Sequence, residues 1–261
     1  MPRFAANVSM LFTEAPFLDR FAAAARAGFT AVEFLFPYDE DVPAIAAALH
    51  DNELQQALFN LPAGNFSRGD RGIANDPRRI AEFRDGVARG LEIATRIGCP
   101  KLNCLVGLTL SDVPLDTQLA TVAENLAFAA SEAERAGVRQ VIEPLNAFDA
   151  PGFLITTPTA GFAMVERVGH PNLSLQYDVY HAQRMEGNLA ETIAQRIGQI
   201  GHIQIADSPA RHEPGTGEIN YPFVFDAIDD AGYDGWVSLE YRPGSTTEES
   251  LAWLRDWGYW D

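Results

Sequence analysis

Ala136-Gly137-Val138-Arg139-Gln140-Val141-Ile142-Glu143-Pro144 carries the pattern on which the fold turns. A helical segment ends in Ala-Gly, a short and mostly apolar run follows, and the run stops on a carboxylate. Glycine accepts the left-handed conformation that ends a helix, so the chain passes directly from helix into strand. Proline has no N–H to give a sheet, so Pro144 takes the chain out of the sheet immediately after Glu143. Glu143 therefore stands at the C-terminal rim of a buried strand, where parallel α/β folds bind ligands.

The same junction recurs at Ala27-Gly28, Ile97-Gly98, Val168-Gly169, Ile197-Gly198 and Ala231-Gly232, each followed within a few residues by a short apolar run. Repeated units of this size predict parallel strands joined by right-handed helical crossovers. Eight strands are expected, near Arg3–Val8, Ala31–Leu35, Gln55–Asn60, Lys101–Val106, Arg139–Glu143, Ser174–Asp178, His202–Ile205 and Trp236–Glu240. Helices are expected at Phe17–Ala27, Val42–His50, Pro77–Ile97, Pro114–Ala136, Pro158–Val168, Leu189–Ile197, Tyr221–Ala231 and Thr247–Trp257, with Pro77, Pro114 and Pro158 in first-turn positions. Eight βα units in a chain of this length predict a closed (β/α)8 barrel rather than an open sheet. No composition shift or Ser/Gly linker divides the chain, so 1–261 reads as a single TIM-barrel domain. No G-x-G-x-x-G follows the first strand and no P-loop occurs, which disfavours nucleotide-binding folds.

Charge excludes other classes. With 19 Lys and Arg against 36 Asp and Glu, the net charge is −17, which argues against binding a nucleic-acid backbone. An anionic substrate would need a local cationic pocket. Cys99 and Cys104 are too few for a zinc site or a disulfide framework and read as small buried hydrophobes in a reducing compartment. Neither a secretory leader nor a membrane-spanning run is visible, so the expected setting is cytoplasmic and off the membrane.

The rim pattern of Glu143 repeats on later strands. Asp178 ends the sixth, Gln204 lies near the end of the seventh, and Glu240 ends the eighth. Three carboxylates and an amide oxygen on consecutive strands suit a hard divalent cation, with Mg²⁺ first and Mn²⁺ or Co²⁺ as alternatives. Unpaired, the carboxylates would raise one another's pKa; a shared cation resolves that. Long loops at 61–76 and 206–220 add polar candidates.

Several motifs resemble a known family. They are Phe4-Ala5-Ala6-Asn7-Val8, Val32-Glu33-Phe34-Leu35-Phe36-Pro37, Asn60-Leu61-Pro62-Ala63-Gly64, Ile142-Glu143-Pro144-Leu145-Asn146, Gln176-Tyr177-Asp178-Val179-Tyr180-His181 and Glu213-Pro214-Gly215-Thr216-Gly217-Glu218. Across essentially the whole chain they are similar to the hydroxypyruvate isomerases of the xylose-isomerase-like TIM barrel superfamily. That superfamily also holds ketose 3-epimerases and endonuclease IV-type enzymes. The resemblance implies that Glu143 and Glu240 are paired catalytic carboxylates and that Glu143, Asp178, Gln204 and Glu240 bind the metal. It also implies a homo-oligomer. The N-terminal stretch is similar to 2-oxo-tetronate isomerases too, whereas the epimerases usually carry His where this chain has Gln204. An endonuclease would need more His ligands and a basic face.

The expected chemistry interconverts hydroxypyruvate and tartronate semialdehyde through an enediolate, with a small hydroxy-keto acid as partner. A base takes the proton from one carbon, and an electrophile on the neighbouring carbonyl stabilises the charge. His181, three residues past Asp178, is a candidate donor to a substrate oxygen. Arg211, in the long loop after the seventh strand, is a candidate for the substrate carboxylate; Arg71 and Lys101 are further cationic candidates. Phe12, Phe36, Trp236 and Tyr241 either wall the pocket or pack the barrel. A 2-oxo-tetronate isomerase, a ketose 3-epimerase and a non-catalytic sugar-acid-binding barrel are the alternatives.

Overall fold

A computed structural model describes Met1–Trp260. The chain begins with β1 (Arg3–Asn7), α1 (Asp19–Arg26), β2 (Ala31–Glu33), α2 (Val42–Asp51), β3 (Gln55–Gln56) and β4 (Phe59–Asn60). It continues through α3 (Ile80–Ile97), β5 (Lys101–Cys104), α4 (Leu115–Arg135), β6 (Arg139–Ile142), α5 (Pro158–Val168), β7 (Leu173–Asp178) and α6 (Val179–Met185). It ends with α7 (Leu189–Arg196), β8 (Ile200–Ile205), α8 (Tyr221–Asp230), β9 (Trp236–Leu239), α9 (Thr247–Ser250) and α10 (Ala252–Asp256).

Every named strand pair is parallel, in the order β3-β2-β1-β9-β8-β7-β6-β5-β4. The two ends of that order, β3 and β4, are halves of one segment. β3 pairs with β2 and β4 with β5, so the sheet closes on itself as the expected TIM barrel. The third strand is therefore split at Ala57-Leu58, because it serves its two neighbours by halves. Ala57 N donates to Val32 O at 2.7 Å and Leu61 N to Asn103 O at 2.7 Å across this seam.

Side-chain alternation divides the barrel into two layers. Phe4, Ala6, Val32, Leu102, Ile142, Leu175, Ile203, Val237 and Leu239 pack outward in the main buried cluster beneath the helices. At the N-terminal end of the lumen, Ala5, Ala31 and Ala57 make a small apolar plug against Trp236. Above the plug the lumen is polar. Asn7, Glu33, Asn103, His202, Gln204 and Ser238 are each at most 1% exposed. Phe4, Phe225 and Trp253 meet at ring-centroid distances of 5.4–5.8 Å, locking β1, α8 and α10 together.

Helix starts follow local capping. Thr157 caps α5 by accepting from Ala160 N, with Pro158 in the first turn as expected. Pro114 is instead the cap residue of α4, and Pro77 lies before α3. α6, which the periodicity does not predict, starts directly after β7 because Asp178 caps it. The expected C-terminal helix is broken at Leu251 into α9 and α10. Among the described residues no helix is long and apolar enough to cross a membrane.

Candidate active site

The four positions all lie at the C-terminal end of the barrel strands. Asp178 ends β7, level with Gln204 on β8, which is level with Ser238 on β9; Glu240 follows β9 and Glu143 follows β6. Each glutamate is held from the lumen by an asparagine. Asn7 Nδ2 donates to Glu240 Oε1 at 3.1 Å, and Asn103 Nδ2 donates to Glu143 Oε2 at 3.1 Å. Asn103 also donates to Asn60 Oδ1 at 3.0 Å. Both carboxylates are thus fixed on one side, with the other oxygen turned toward the site.

Asp178 does two things at once. Its Oδ1 accepts from Tyr180 N at 2.7 Å, capping α6, while its Oδ2 has no hydrogen-bond partner. Glu143 Oε1 and His181 Nε2 are likewise buried without a hydrogen-bond partner. Glu143, Asp178 and His181 each offer an atom to one group whose members lie within 4.8 Å of one another, a cluster that can hold a metal ion. Two carboxylate oxygens aimed at one point are the hard donors a divalent cation selects.

The bonding at Nδ1 defines His181. Asn146 Oδ1 accepts from Phe148 N and Asp149 N, so its Nδ2 must face the imidazole. Nδ1 then accepts from Asn146 N at 3.1 Å and Nδ2 at 2.7 Å. An accepting Nδ1 puts the ring proton on Nε2, so His181 presents an N–H to the site. Burial and the charge of Arg211 hold its pKa well below the usual value, so the ring is neutral.

Arg211 reaches the site from the loop after β8. Its Nη2 bonds Glu240 Oε2 and lies 3.5 Å from Asp178 Oδ2. Its backbone is left-handed, at φ 59°, a conformation uncommon for a side chain this large. Asp207 braces the loop around it: its backbone carbonyl accepts from Arg211 N at 2.9 Å, and its carboxylate accepts from the backbone N–H groups of Ser208, Gly215, Gly217 and Ile219 at 2.9–3.1 Å. A Cβ on Gly217 would lie 2.0 Å from Ser208 O, so that turn needs glycine.

Electrostatics separate the carboxylates into two kinds. Burial pushes Glu240 up to about 8, with Asp178 and Glu33 adding to the rise and Arg211 opposing it. Burial, then the charges of Glu240 and Asp178, raise Glu143 well above the carboxylate range; burial also raises Asp178. Glu33 goes the other way. Burial would raise it, but His202, Gln204 and Ser238 outweigh that and hold it low. The rim carboxylates are thus short of positive charge, while Glu33 is fully compensated.

A cavity of about 1070 Å³ opens over this floor, lined by Glu143, His181 and Glu240 and by three arginines, Arg71, Arg211 and Arg242. Those guanidinium groups are local positive points in a lining that also holds four carboxylates, Glu14, Glu143, Asp149 and Glu240. Arg71 lies 3.8 Å from the centre of the Phe66 ring. Lys101 does not join them. It opens β5, paired with Arg139 at the opposite end of the barrel, because that strand begins rather than ends at 101. Of the aromatic candidates Phe36 lines the cavity, whereas Trp236 sits in the plug and Phe12 and Tyr241 are core. Sequence reasoning passed over Asn7, Glu33, Asn103, His202, Asp207 and Arg242. For four of these the signal was a polar residue next to an outward-packed apolar one inside a strand (Ala6-Asn7, Val32-Glu33, Leu102-Asn103, His202-Ile203), a lumen-facing pattern.

The chain is similar to known proteins along nearly its full length. The family model Xylose isomerase-like TIM barrel matches residues 21–257. A hydroxypyruvate isomerase of Escherichia coli (strain K12) is 49% identical over 254 residues, 97% of this chain and 98% of that protein. A 2-oxo-tetronate isomerase of Cupriavidus necator is 48% identical, covering 98% of each. A Brucella melitensis crystal structure described as AP endonuclease, family 2 superposes with a TM-score of 0.96 at 44% identity, covering 98% of this chain and 99% of that one.

Proposed function

The chain belongs to the xylose isomerase-like TIM barrel family, and on that premise we propose that it is a hydroxypyruvate isomerase, interconverting hydroxypyruvate and tartronate semialdehyde. The observation that carries this reading is the pair Glu143 and Glu240. They line one cavity, each is fixed by a lumen asparagine, and burial raises both carboxyls above the usual carboxylate range.

In this reading Glu143, Asp178, Gln204 and Glu240 would hold a divalent cation, Mg²⁺ or else Mn²⁺ or Co²⁺, which when bound would supply stabilisation of the negative charge that develops on the substrate. His181 belongs to the substrate rather than to the cation, because its proton sits on the nitrogen that faces the site. Nε2–H donates to the carbonyl oxygen at C2. A carboxylate removes a proton from C3, leaving the enediolate. Return of a proton to C2, with transfer of the hydroxyl proton from O3 to O2, gives the aldehyde. Glu143 and Glu240 are the groups that carry the carbon-bound proton. Arg71, Arg211 and Arg242 offer the guanidinium groups for the substrate carboxylate.

The cavity favours a second reading within the same chemistry. About 1070 Å³ is far more space than a three-carbon acid needs, and typical small-molecule sites are about 300–1,000 Å³. A 2-oxo-tetronate would use more of it, in keeping with the second relative. The cavity's three arginines share its lining with four carboxylates, and the chain carries −17 net, which opposes a nucleic-acid substrate. The test is a panel of hydroxypyruvate, 2-oxo-tetronates and free ketoses, assayed with the metal-stripped protein after adding each cation separately. Highest kcat/KM on hydroxypyruvate is the expected result. Preference for a four-carbon acid transfers the assignment to the second reading, and preference for a neutral ketose overturns both.

A further inference from the structure

Glu33 does not line the cavity and is fully buried at the end of β2, yet it is the best-satisfied carboxylate in the lumen. Its Oε1 accepts from Gln204 Nε2 at 2.7 Å and Asn7 Nδ2 at 3.0 Å, and its Oε2 from His202 Nε2 at 2.7 Å. Burying a carboxylate costs several kcal/mol before its partners offset it, and a glutamine would fill the same space. What glutamine cannot do is accept on both ends. A carboxylate only accepts, so it dictates which way each amide around it must point.

Two amides are set in this way. Gln204 must turn its NH₂ to Glu33, which leaves Oε1 facing β7, the strand that carries Asp178. There it meets Gln176 Nε2 at 2.5 Å and keeps a second lone pair. Asn7 must also turn its NH₂ inward, where the same group reaches Glu240 Oε1; its Oδ1 is taken by Ser9 N at 3.0 Å. His202 Nδ1 has no partner, consistent with a ring whose proton is on Nε2 and given to Glu33.

We infer that Glu33 is a positioning residue that fixes Gln204 as an oxygen donor toward the cation site and Asn7 as the N–H donor that aims Glu240. The inference rests on the cation reading above. In Glu33→Gln an amide stands between amides, and Gln204 can turn its NH₂ outward as readily as its oxygen.

The experiment is calorimetric titration of Mn²⁺ into metal-stripped wild type, Glu33→Gln and the double variant Glu33→Gln/Gln204→Glu, each checked for fold by circular dichroism. Losing such an outer partner typically weakens metal binding by about 10–100-fold, and that loss is expected for Glu33→Gln. The double variant restores one carboxylate and one amide across the contact, and the carboxylate introduced on β8 is able only to accept; affinity at the wild-type level or tighter is expected. Wild-type affinity in Glu33→Gln overturns the inference, as does a folded double variant that binds no better than the single. If Glu33→Gln does not fold, the double variant decides alone: Mn²⁺ binding supports the inference and its loss overturns it. A wild type that binds no Mn²⁺ removes the cation reading and the inference with it, an outcome distinct from binding that is merely indifferent to Glu33.

Discussion

At the scale of single residues, the reading depends on which groups move protons and which only hold them. Glu143→Gln and Glu240→Gln keep shape and lose the base, so each is expected to cut kcat by about 10²–10⁴-fold with the fold intact. Following exchange of the C3 hydrogen with deuterated solvent by NMR assigns the steps. The variant that still exchanges without forming aldehyde has kept the residue that removes the proton. His181→Gln separates donor from ligand. As a donor it is expected to lower kcat by about 10²–10³-fold, the range for losing one hydrogen bond to developing charge, with Mn²⁺ affinity in calorimetry little changed. A large loss of metal affinity would instead make His181 a ligand. Cys99 and Cys104 are inert by the same physics. Burial pushes both thiols up to about 12, so neither is ionised near neutrality. A thiol reagent at about pH 8 is expected to label neither residue until the protein is denatured.

At the scale of elements, the loop at 206–220 and the short helix α6 turn a generic barrel rim into a site. Asp207 collects four backbone N–H groups and thereby places Arg211. Asp207→Ala leaves those donors without their acceptor and is expected to cost about 2–3 kcal/mol in chemical denaturation, roughly one or more buried donors left unpaired. Because the loop also carries Arg211, KM is expected to rise more than kcat falls. α6 exists because Asp178 caps it, so one residue ends a strand, starts a helix and joins the buried cluster with Glu143 and His181. Hydrophobic periodicity does not show α6, a helix of seven residues that starts with no intervening turn. The loops were legible as long and polar, but not the turn that a single aspartate imposes on one of them.

At the scale of the molecule, the rim carboxylates make stability depend on pH and on a cation. Glu240 moves from its ordinary 4.5 to about 8 on folding, and Glu143 and Asp178 shift the same way. An acid raised on folding binds its proton more tightly in the native state. Its contribution to stability is therefore complete below about pH 4.5 and is lost as pH rises through about 8. The Tm of the metal-stripped protein is expected to fall between about pH 5 and pH 8, and added Mn²⁺ is expected to raise it more at the upper end. Scanning fluorimetry across that range checks both, and a Tm that rises with pH would contradict the electrostatic picture of the rim.

What the sequence determined by itself was the order of αβ units, the closed barrel and the strand-end positions of Glu143, Asp178, Gln204 and Glu240. These follow from local signals: glycine at helix ends, apolar runs of strand length, and proline just after a carboxylate. The tertiary structure decided the rest. It split the third strand at the barrel seam, sent Lys101 to the far end, brought Arg71 and Arg242 over the same cavity, and set the polarity of His181 and Gln204 through Asn146 and Glu33. Those outcomes depend on partners 26 to 171 residues apart in the chain, as Asn7 and Gln204 are from Glu33. Hydrogen-bond direction at such distances is fixed only when the barrel closes and forces each buried donor to find an acceptor.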